Sequence, residues 1–121
     1  MGASANRRFA LATAAAGLLL AGMGLASSTE RPEPRHHTVT IDATSYGPRT
    51  ITASVGDTIT WVNQDLVPHT ATAKNGRFDS GDIPPGKSWA YVVKTEGLFA
   101  YFCSYHPTMK GTLRARPAAG S

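Results

Sequence analysis

Three residues with metal-binding side chains are regularly spaced near the end of the sequence. The stretch YFCSYHPTMKG (residues 101–111) contains Cys103, the chain's one cysteine. His106 follows three residues later, and Met109 three residues after that. Thiolate and thioether sulfur suit soft metal ions such as Cu(I), and imidazole suits copper in both oxidation states. This spacing predicts a metal site with three donors on one turn.

A second histidine is needed to complete a copper site of the kind with two histidines, one cysteine and a distant methionine. His36, His37 and His69 remain, and only His69 lies inside the predicted fold, just after a bend at Pro68. Ordinary core packing is the alternative for Met109, and burial as an inert small side chain is the alternative for Cys103. The sequence predicts one copper ion, cycling between Cu(I) and Cu(II), bound by His69, Cys103, His106 and Met109.

The first 26 residues have the organisation of a signal peptide. Arg7 and Arg8 precede an uncharged apolar run from Phe9 to about Ala26, which ends in small residues. The arginine pair resembles a degenerate twin-arginine signal, so both export routes stay open. An uncleaved anchor is the alternative, since the run is just long enough to span a membrane. We expect cleavage and a periplasmic protein without a membrane span, in which a lone cysteine needs a partner other than a disulfide.

The charge of the remaining chain excludes one class of partner. Without Arg7 and Arg8, ten Lys and Arg stand against eight Asp and Glu, a net charge of +2. No run of basic residues and no basic helix is present, so nucleic acid binding is not expected. We expect a monomer with a polar linker over 27–36, one domain over 37–117, and a tail over 118–121. The linker would include His36, and we interpret His36 and His37 together as solvated.

Short runs with alternating apolar and polar residues fill the sequence from Thr38 onward. Examples are HTVTIDATSY (37–46), DTITWVNQ (57–64) and GLFAYFC (97–103), separated by Gly, Pro, Asn and Asp. Such period-two patterns, rich in β-branched and aromatic residues, predict seven or eight strands of an all-β, antiparallel sandwich or barrel. Trp61, Trp89, Phe99 and Tyr101 are assigned to its core.

The sequence resembles the cupredoxins, most closely those of the amicyanin and plastocyanin type. The resemblance rests on GDTITWVNQDLVPHTA (56–71), FDSGDIPPGKSWAY (78–91) and GLFAYFCSYHPTMKGTL (97–113), and it covers about residues 37–116. It implies a Greek-key β-sandwich of eight strands with a type 1 copper near one end. It also implies that Asn63 ties the two ligand loops together, with plain turn capping as the alternative.

The resemblance further assigns roles around the cysteine sulfur. The backbone N–H of Thr70 is implied to donate a hydrogen bond to Cys103 Sγ. Amicyanins often have proline before the second histidine, whereas this sequence has Tyr105, whose N–H could donate a second bond to the sulfur and raise the reduction potential.

The function implied is that of a small electron carrier rather than an enzyme. By family analogy, an amine dehydrogenase would donate electrons and a c-type cytochrome would accept them. Partners would dock on an apolar patch around His106, formed by Leu66, Val67, Pro68, Pro107 and Thr108. A copper enzyme would need several more histidines than the sequence has to spare. Periplasmic copper binding and delivery is the alternative function, although the sequence has no cluster of methionines.

Overall fold

Two four-stranded β-sheets form the fold of the part of this chain that the structure describes. The computed structural model describes Gly17 and residues 32–120, so the predicted signal peptide falls outside the described residues except for Gly17. One sheet has the strand order β2-β1-β4-β6 and the other β3-β8-β7-β5. The strands are β1 (His36–Asp42), β2 (Ser45–Gly47), β3 (Thr50–Ser54), β4 (Thr58–Asn63), β5 (Thr72–Ala73), β6 (Ser88–Val92), β7 (Gly97–Phe102) and β8 (Lys110–Arg116). The prediction of an all-β sandwich is confirmed. Among the described residues there is no helix that could cross a membrane.

Two of the strand pairs are parallel, so the expectation of purely antiparallel sheets is wrong. β1 pairs with β4, and β3 pairs with β8, both in parallel register. Parallel and antiparallel strands share the same period-two alternation, so the sequence pattern does not distinguish them. In the parallel register, Asn63 lies beside Ile41 and Thr58 lies beside His36. Asn63 and His36 therefore lie at opposite ends of the sandwich.

The run predicted as one strand over 37–46 is a hairpin. Asp42 pairs with Ser45, and the two residues between them, Ala43 and Thr44, have φ angles of 48° and 56°. A two-residue turn with positive φ at both positions matches the twist of the strands it joins. The sequence lacks the Asn-Gly or Asp-Gly pair that is typical of such turns. The turn is held by a hydrogen bond from Thr44 N–H to Asp65 Oδ2 (2.8 Å). Ala43 is consequently exposed rather than part of the buried face.

The core between the sheets is centred on aromatic rings. Trp61 and Tyr101 are fully buried, with ring centroids 5.5 Å apart, and Tyr46 and Phe78 pack against Tyr101 at 4.7 and 5.9 Å. The predicted burial of Trp61, Phe99 and Tyr101 is confirmed. Trp89 is only partly buried, because β6 is an edge strand of its sheet.

His36 and His37 lie in β1 and do not belong to a solvated linker. His37 Nε2 is 2.8 Å from Asp57 Oδ2, and the Asp57 carboxylate also accepts the N–H groups of Arg35 and Ser54 (2.9 Å each). Arg35, inside the predicted linker, therefore also bonds to the fold. Burial disfavours ionisation of Asp57, but these hydrogen bonds outweigh it and hold the pKa of the carboxyl below its usual range.

Replacing Asp57 with alanine is expected to lower the free energy of unfolding at pH 7 by about 2 kcal/mol, because three donors lose one acceptor. Since the folded pKa is depressed, this stabilisation is complete above the ordinary Asp value of about 4 and is lost as pH falls through the folded pKa. Urea unfolding of wild type and Asp57→Ala at pH 7 and pH 3 measures it. The control is Asp42→Ala, an exposed carboxylate that accepts from Ala43 N–H. An equal difference in the free energy of unfolding between wild type and Asp57→Ala at both pH values would contradict this explanation.

Candidate metal centre

The loop between β7 and β8 brings Cys103, His106 and Met109 together. It is closed by backbone hydrogen bonds from Cys103 N–H to the Met109 carbonyl (3.1 Å), from His106 N–H to the Cys103 carbonyl (3.2 Å) and from Met109 N–H to the His106 carbonyl (2.8 Å). Because β7 and β8 are antiparallel neighbours, the loop starts and ends at the same end of one sheet. The predicted single turn with three candidate ligands is thus present.

His69 reaches the same place from a separate segment. It lies outside the regular strands, because β5 comprises only Thr72–Ala73. Instead, His69 forms an isolated bridge with Ile83, through Ile83 N–H to the His69 carbonyl (2.8 Å) and His69 N–H to the Ile83 carbonyl (3.2 Å). These bonds fix the His69 backbone without a regular strand.

Three donor atoms converge on one point. Cys103 Sγ lies 3.7 Å from His69 Nδ1 and 3.8 Å from His106 Nδ1. Cys103 and His69 are fully buried, while His106 is partly exposed. In the part of the chain that the structure describes, this is the one group of His, Cys, Asp and Glu side chains with metal-site spacing, its three donors lying within 4.8 Å of one another. Met109 is buried close by, at the end of the same loop.

The sulfur accepts one backbone hydrogen bond within the described residues. Thr70 N–H donates to Cys103 Sγ at 3.3 Å, as the resemblance implied. The second donor expected from Tyr105 is not found there. The Tyr105 hydroxyl instead donates to Asp82 Oδ1, and this carboxylate raises the pKa of Tyr105. The proposed contribution of the Tyr105 N–H to the reduction potential therefore has no structural support.

Asn63 connects parts of the site in a different way from the one implied. Its Nδ2 donates to the carbonyls of Val67 and Ile83 (2.8 Å each), and its Oδ1 accepts from Asp65 N–H (2.9 Å). These bonds cap the turn before His69 and fasten it to the Ile83 segment, but they do not reach the loop of Cys103.

The link between the two ligand segments is made by Thr70. Its Oγ1 accepts the N–H of Ser104 (2.9 Å), so Thr70 contacts both the sulfur of Cys103 and the residue that follows it. The sequence reasoning considered only the backbone of Thr70. A hydroxyl residue directly after each of His69 and Cys103 was the signal available for this side-chain contact.

Asp65 is a further functional residue that the sequence reasoning missed. Its Oδ2 lies 2.8 Å from His69 Nε2 and accepts from Thr44 N–H at the same distance. Hydrogen bonds from Thr44 N–H and from His69 lower the pKa of Asp65. A carboxylate beside Nε2 favours the tautomer with its proton there, which leaves the Nδ1 lone pair facing the sulfur. A carboxylate four residues before a candidate ligand was the available sequence signal.

These donors fit copper. Two imidazole nitrogens and one thiol sulfur, enclosed with a thioether residue nearby, combine the ligand types that accept both Cu(I) and Cu(II). Within the described residues, the fold and the site define a β-sandwich with a candidate metal centre of two histidines and a cysteine.

Comparison with known proteins agrees with this class. The family model described as "Cupredoxin-like domain" matches residues 13–115. The chain is 31% identical over 86 residues to a plastocyanin from Scenedesmus fuscus, covering 56% of this chain and 83% of that protein. It is 30% identical over 78 residues to an amicyanin from Paracoccus versutus, covering 60% of this chain and 59% of that protein.

Solved structures add two further similarities. A purple cupredoxin from Nitrosopumilus maritimus superposes with a TM-score of 0.59 at 31% identity, covering 66% of this chain and 99% of that one. A copper-containing nitrite reductase from Thermus scotoductus SA-01 gives a TM-score of 0.63 at 26% identity, covering 72% of this chain but 23% of that one. The chain belongs to the cupredoxin-like family, and its cofactor is copper.

Proposed function

We propose that this protein is a small periplasmic electron carrier that passes single electrons between redox partners at one copper ion. Its ligands would be His69, Cys103 and His106, with Met109 as a weak fourth ligand. The observation that carries the proposal is the enclosed cluster in which both Nδ1 atoms approach Cys103 Sγ to within 3.8 Å. When bound, copper supplies one-electron chemistry between its two common oxidation states.

The protein's own residues hold the donors in place. The backbone bridge to Ile83 and the Asp65 carboxylate fix His69, while the closed loop fixes Cys103 and His106. Donors that keep one arrangement in both oxidation states minimise the reorganisation that accompanies electron transfer. The Thr70 N–H adds a hydrogen bond to sulfur, which stabilises negative charge on the thiolate.

Electrons would enter and leave at the edge of His106. It is the one partly exposed member of the three-residue cluster, while His69 and Cys103 are shielded from solvent. The five residues of the predicted patch are all exposed, and Leu66 exposes 93% of its surface: Leu66, Val67, Pro68, Pro107 and Thr108. An apolar surface suits brief docking of redox proteins, whose contacts are small. An amine dehydrogenase and a c-type cytochrome are the partners suggested by the amicyanin resemblance.

The placement of the other histidines favours a carrier over a copper enzyme such as the nitrite reductase. The remaining histidines, His36 and His37, lie in β1 beside Thr58 and Ile59, at the end of β4 away from Asn63. They are therefore not placed to form a second metal site next to the first.

Copper delivery is the second candidate function, and burial of the donors argues against it. Ligands that hand over a metal ion need to be reached by the recipient, whereas Cys103 and His69 have no exposed surface. Export to the periplasm rests on Arg7, Arg8 and the apolar run that follows them. N-terminal sequencing of protein from a periplasmic fraction tests it.

The test of function combines electron transfer with copper release. The purified protein is loaded with copper, reduced with ascorbate and mixed with an oxidised c-type cytochrome, and a Cu(I) chelator is added in a parallel sample. We expect one electron per copper to pass to the cytochrome, with copper released to the chelator only slowly. Rapid and complete transfer to the chelator would favour delivery. In a third sample with nitrite and excess ascorbate, sustained consumption of nitrite would favour an enzyme.

A further inference from the structure

Two consecutive residues, Asp82 and Ile83, contact both histidine-bearing segments. Ile83 exchanges two backbone hydrogen bonds with His69, and its carbonyl also accepts from Asn63 Nδ2. The Asp82 carboxylate accepts a hydrogen bond from the hydroxyl of Tyr105, which directly precedes His106. One dipeptide is therefore bonded to His69 on one side and to the neighbour of His106 on the other.

The His106 side of the loop has few other restraints. Tyr105, Pro107 and Thr108 are all exposed, and Tyr105 exposes 52% of its surface. Among the described residues, the Tyr105–Asp82 bond is the one side-chain hydrogen bond between residues 105–108 and a residue outside the loop. The Cys103 side, in contrast, is held by Thr70 through Ser104. Loss of the Tyr105–Asp82 bond would leave the His106 side held mainly by the loop's own backbone bonds.

We propose that Asp82 is a positioning residue for His106: by holding Tyr105, it keeps the His106 ring at a fixed place relative to His69, whose backbone is held by Ile83. This inference rests on the proposed electron-transfer site, because a fixed separation of the two imidazoles matters only if both bind one ion. Ile83 is buried and paired, so it provides a rigid base for the Asp82 side chain. A fixed His106 would keep the exposed edge of the site unchanged between oxidation states.

Local opening of the loop in the metal-free protein is the first measurement. Hydrogen exchange at the amides of His106 and Met109 reports it, because both amides donate within the loop. We expect Asp82→Ala and Tyr105→Phe each to speed this exchange about fivefold, the factor given by loss of one modest hydrogen bond. The double variant should exchange no faster than either single variant, because both remove the same contact. Asp82→Asn keeps an oxygen acceptor and should stay near wild type.

The second measurement uses the copper-loaded protein. Electron self-exchange should slow several-fold in Asp82→Ala and Tyr105→Phe while the copper absorption band is retained. Asp42→Ala is the matched control, because it also removes one exposed carboxylate. Asp42 follows Ile41, which pairs with Asn63, and its carboxylate bonds to Ala43 N–H rather than to the ligand loop. This variant should leave both measurements unchanged.

The outcomes separate this proposal from the proposed function. Unchanged exchange at His106 and Met109, or faster exchange spread evenly over β7 and β8, would overturn the positioning role of Asp82. Faster exchange confined to the loop, together with slower self-exchange, would support it. If the wild-type protein shows no copper absorption band, the proposed function fails, while the amide exchange of the metal-free protein still decides whether Asp82 holds the loop.

Discussion

Replacing Cys103 with serine is expected to abolish the intense visible absorption of the copper-loaded protein. An intense visible band requires charge transfer between a thiolate sulfur and Cu(II), and a serine hydroxyl, which stays protonated, cannot supply it. Cys103 Sγ is the atom that both Nδ1 atoms approach, at 3.7 and 3.8 Å, so the substitution removes the centre of the donor set. Wild type should show an intense band with narrow copper hyperfine splitting in the EPR spectrum, and the variant should show neither.

A matched control separates loss of the ligand from loss of the fold. His36→Ala removes an exposed histidine of β1, which should leave the band intact. Circular dichroism should show that Cys103→Ser retains its sheets, because serine is close in size to cysteine. A band that persists in Cys103→Ser would mean that copper binds elsewhere. A band absent from the wild type would mean that the electron-carrier proposal must be withdrawn in favour of a metal-free β-sandwich.

That the candidate ligands lie close together was predictable from sequence because most of them are local. Cys103, His106 and Met109 lie within seven residues. A loop that short between two strands keeps its side chains close together. His69 could be assigned because few histidines lie inside the domain. Alternation likewise located the buried face of β4, since period two is a direct consequence of strand geometry.

The supporting contacts depend on tertiary structure, which one sequence does not display. Asp82 meets Tyr105 across 23 positions of the chain, and the Thr70 hydroxyl meets Ser104 across 34. The tie between the two ligand loops that the resemblance implied for Asn63 is absent, and the alternative of turn capping is what the structure shows. The amide of Asn63 can donate to any carbonyl that folding brings near it, so the sequence did not decide between the two. The parallel pairings of β1 with β4 and of β3 with β8 were missed because alternation carries no information on strand direction.

Replacing Gly111 with alanine is expected to destabilise the fold strongly. Gly111 lies in β8 directly opposite Tyr101 of β7, and the Tyr101 ring covers it. A Cβ at Gly111 would lie 2.7 Å from Tyr101 Cε2 and closer still to Cζ and Oη. The ring is fully buried and packs against Tyr46 and Trp61, so moving it would disturb the aromatic core. Glycine here is required by this close approach of the ring rather than by the backbone angle.

The expected loss is about 3 kcal/mol in the free energy of unfolding, the upper range for overpacking a tight core. Urea unfolding of the metal-free protein measures it, which removes any contribution from copper. Gly47→Ala is the matched control, because the Cβ of this other strand glycine would meet only the Thr40 carbonyl oxygen, at an ordinary 3.8 Å. A loss below about 0.5 kcal/mol for Gly111→Ala would show that the ring yields easily. Tyr101 and Gly111 lie just before and just after the ligand loop. If the Tyr101 ring cannot move away from the new Cβ, the strands should shift, and the copper spectrum of any variant that still folds should change.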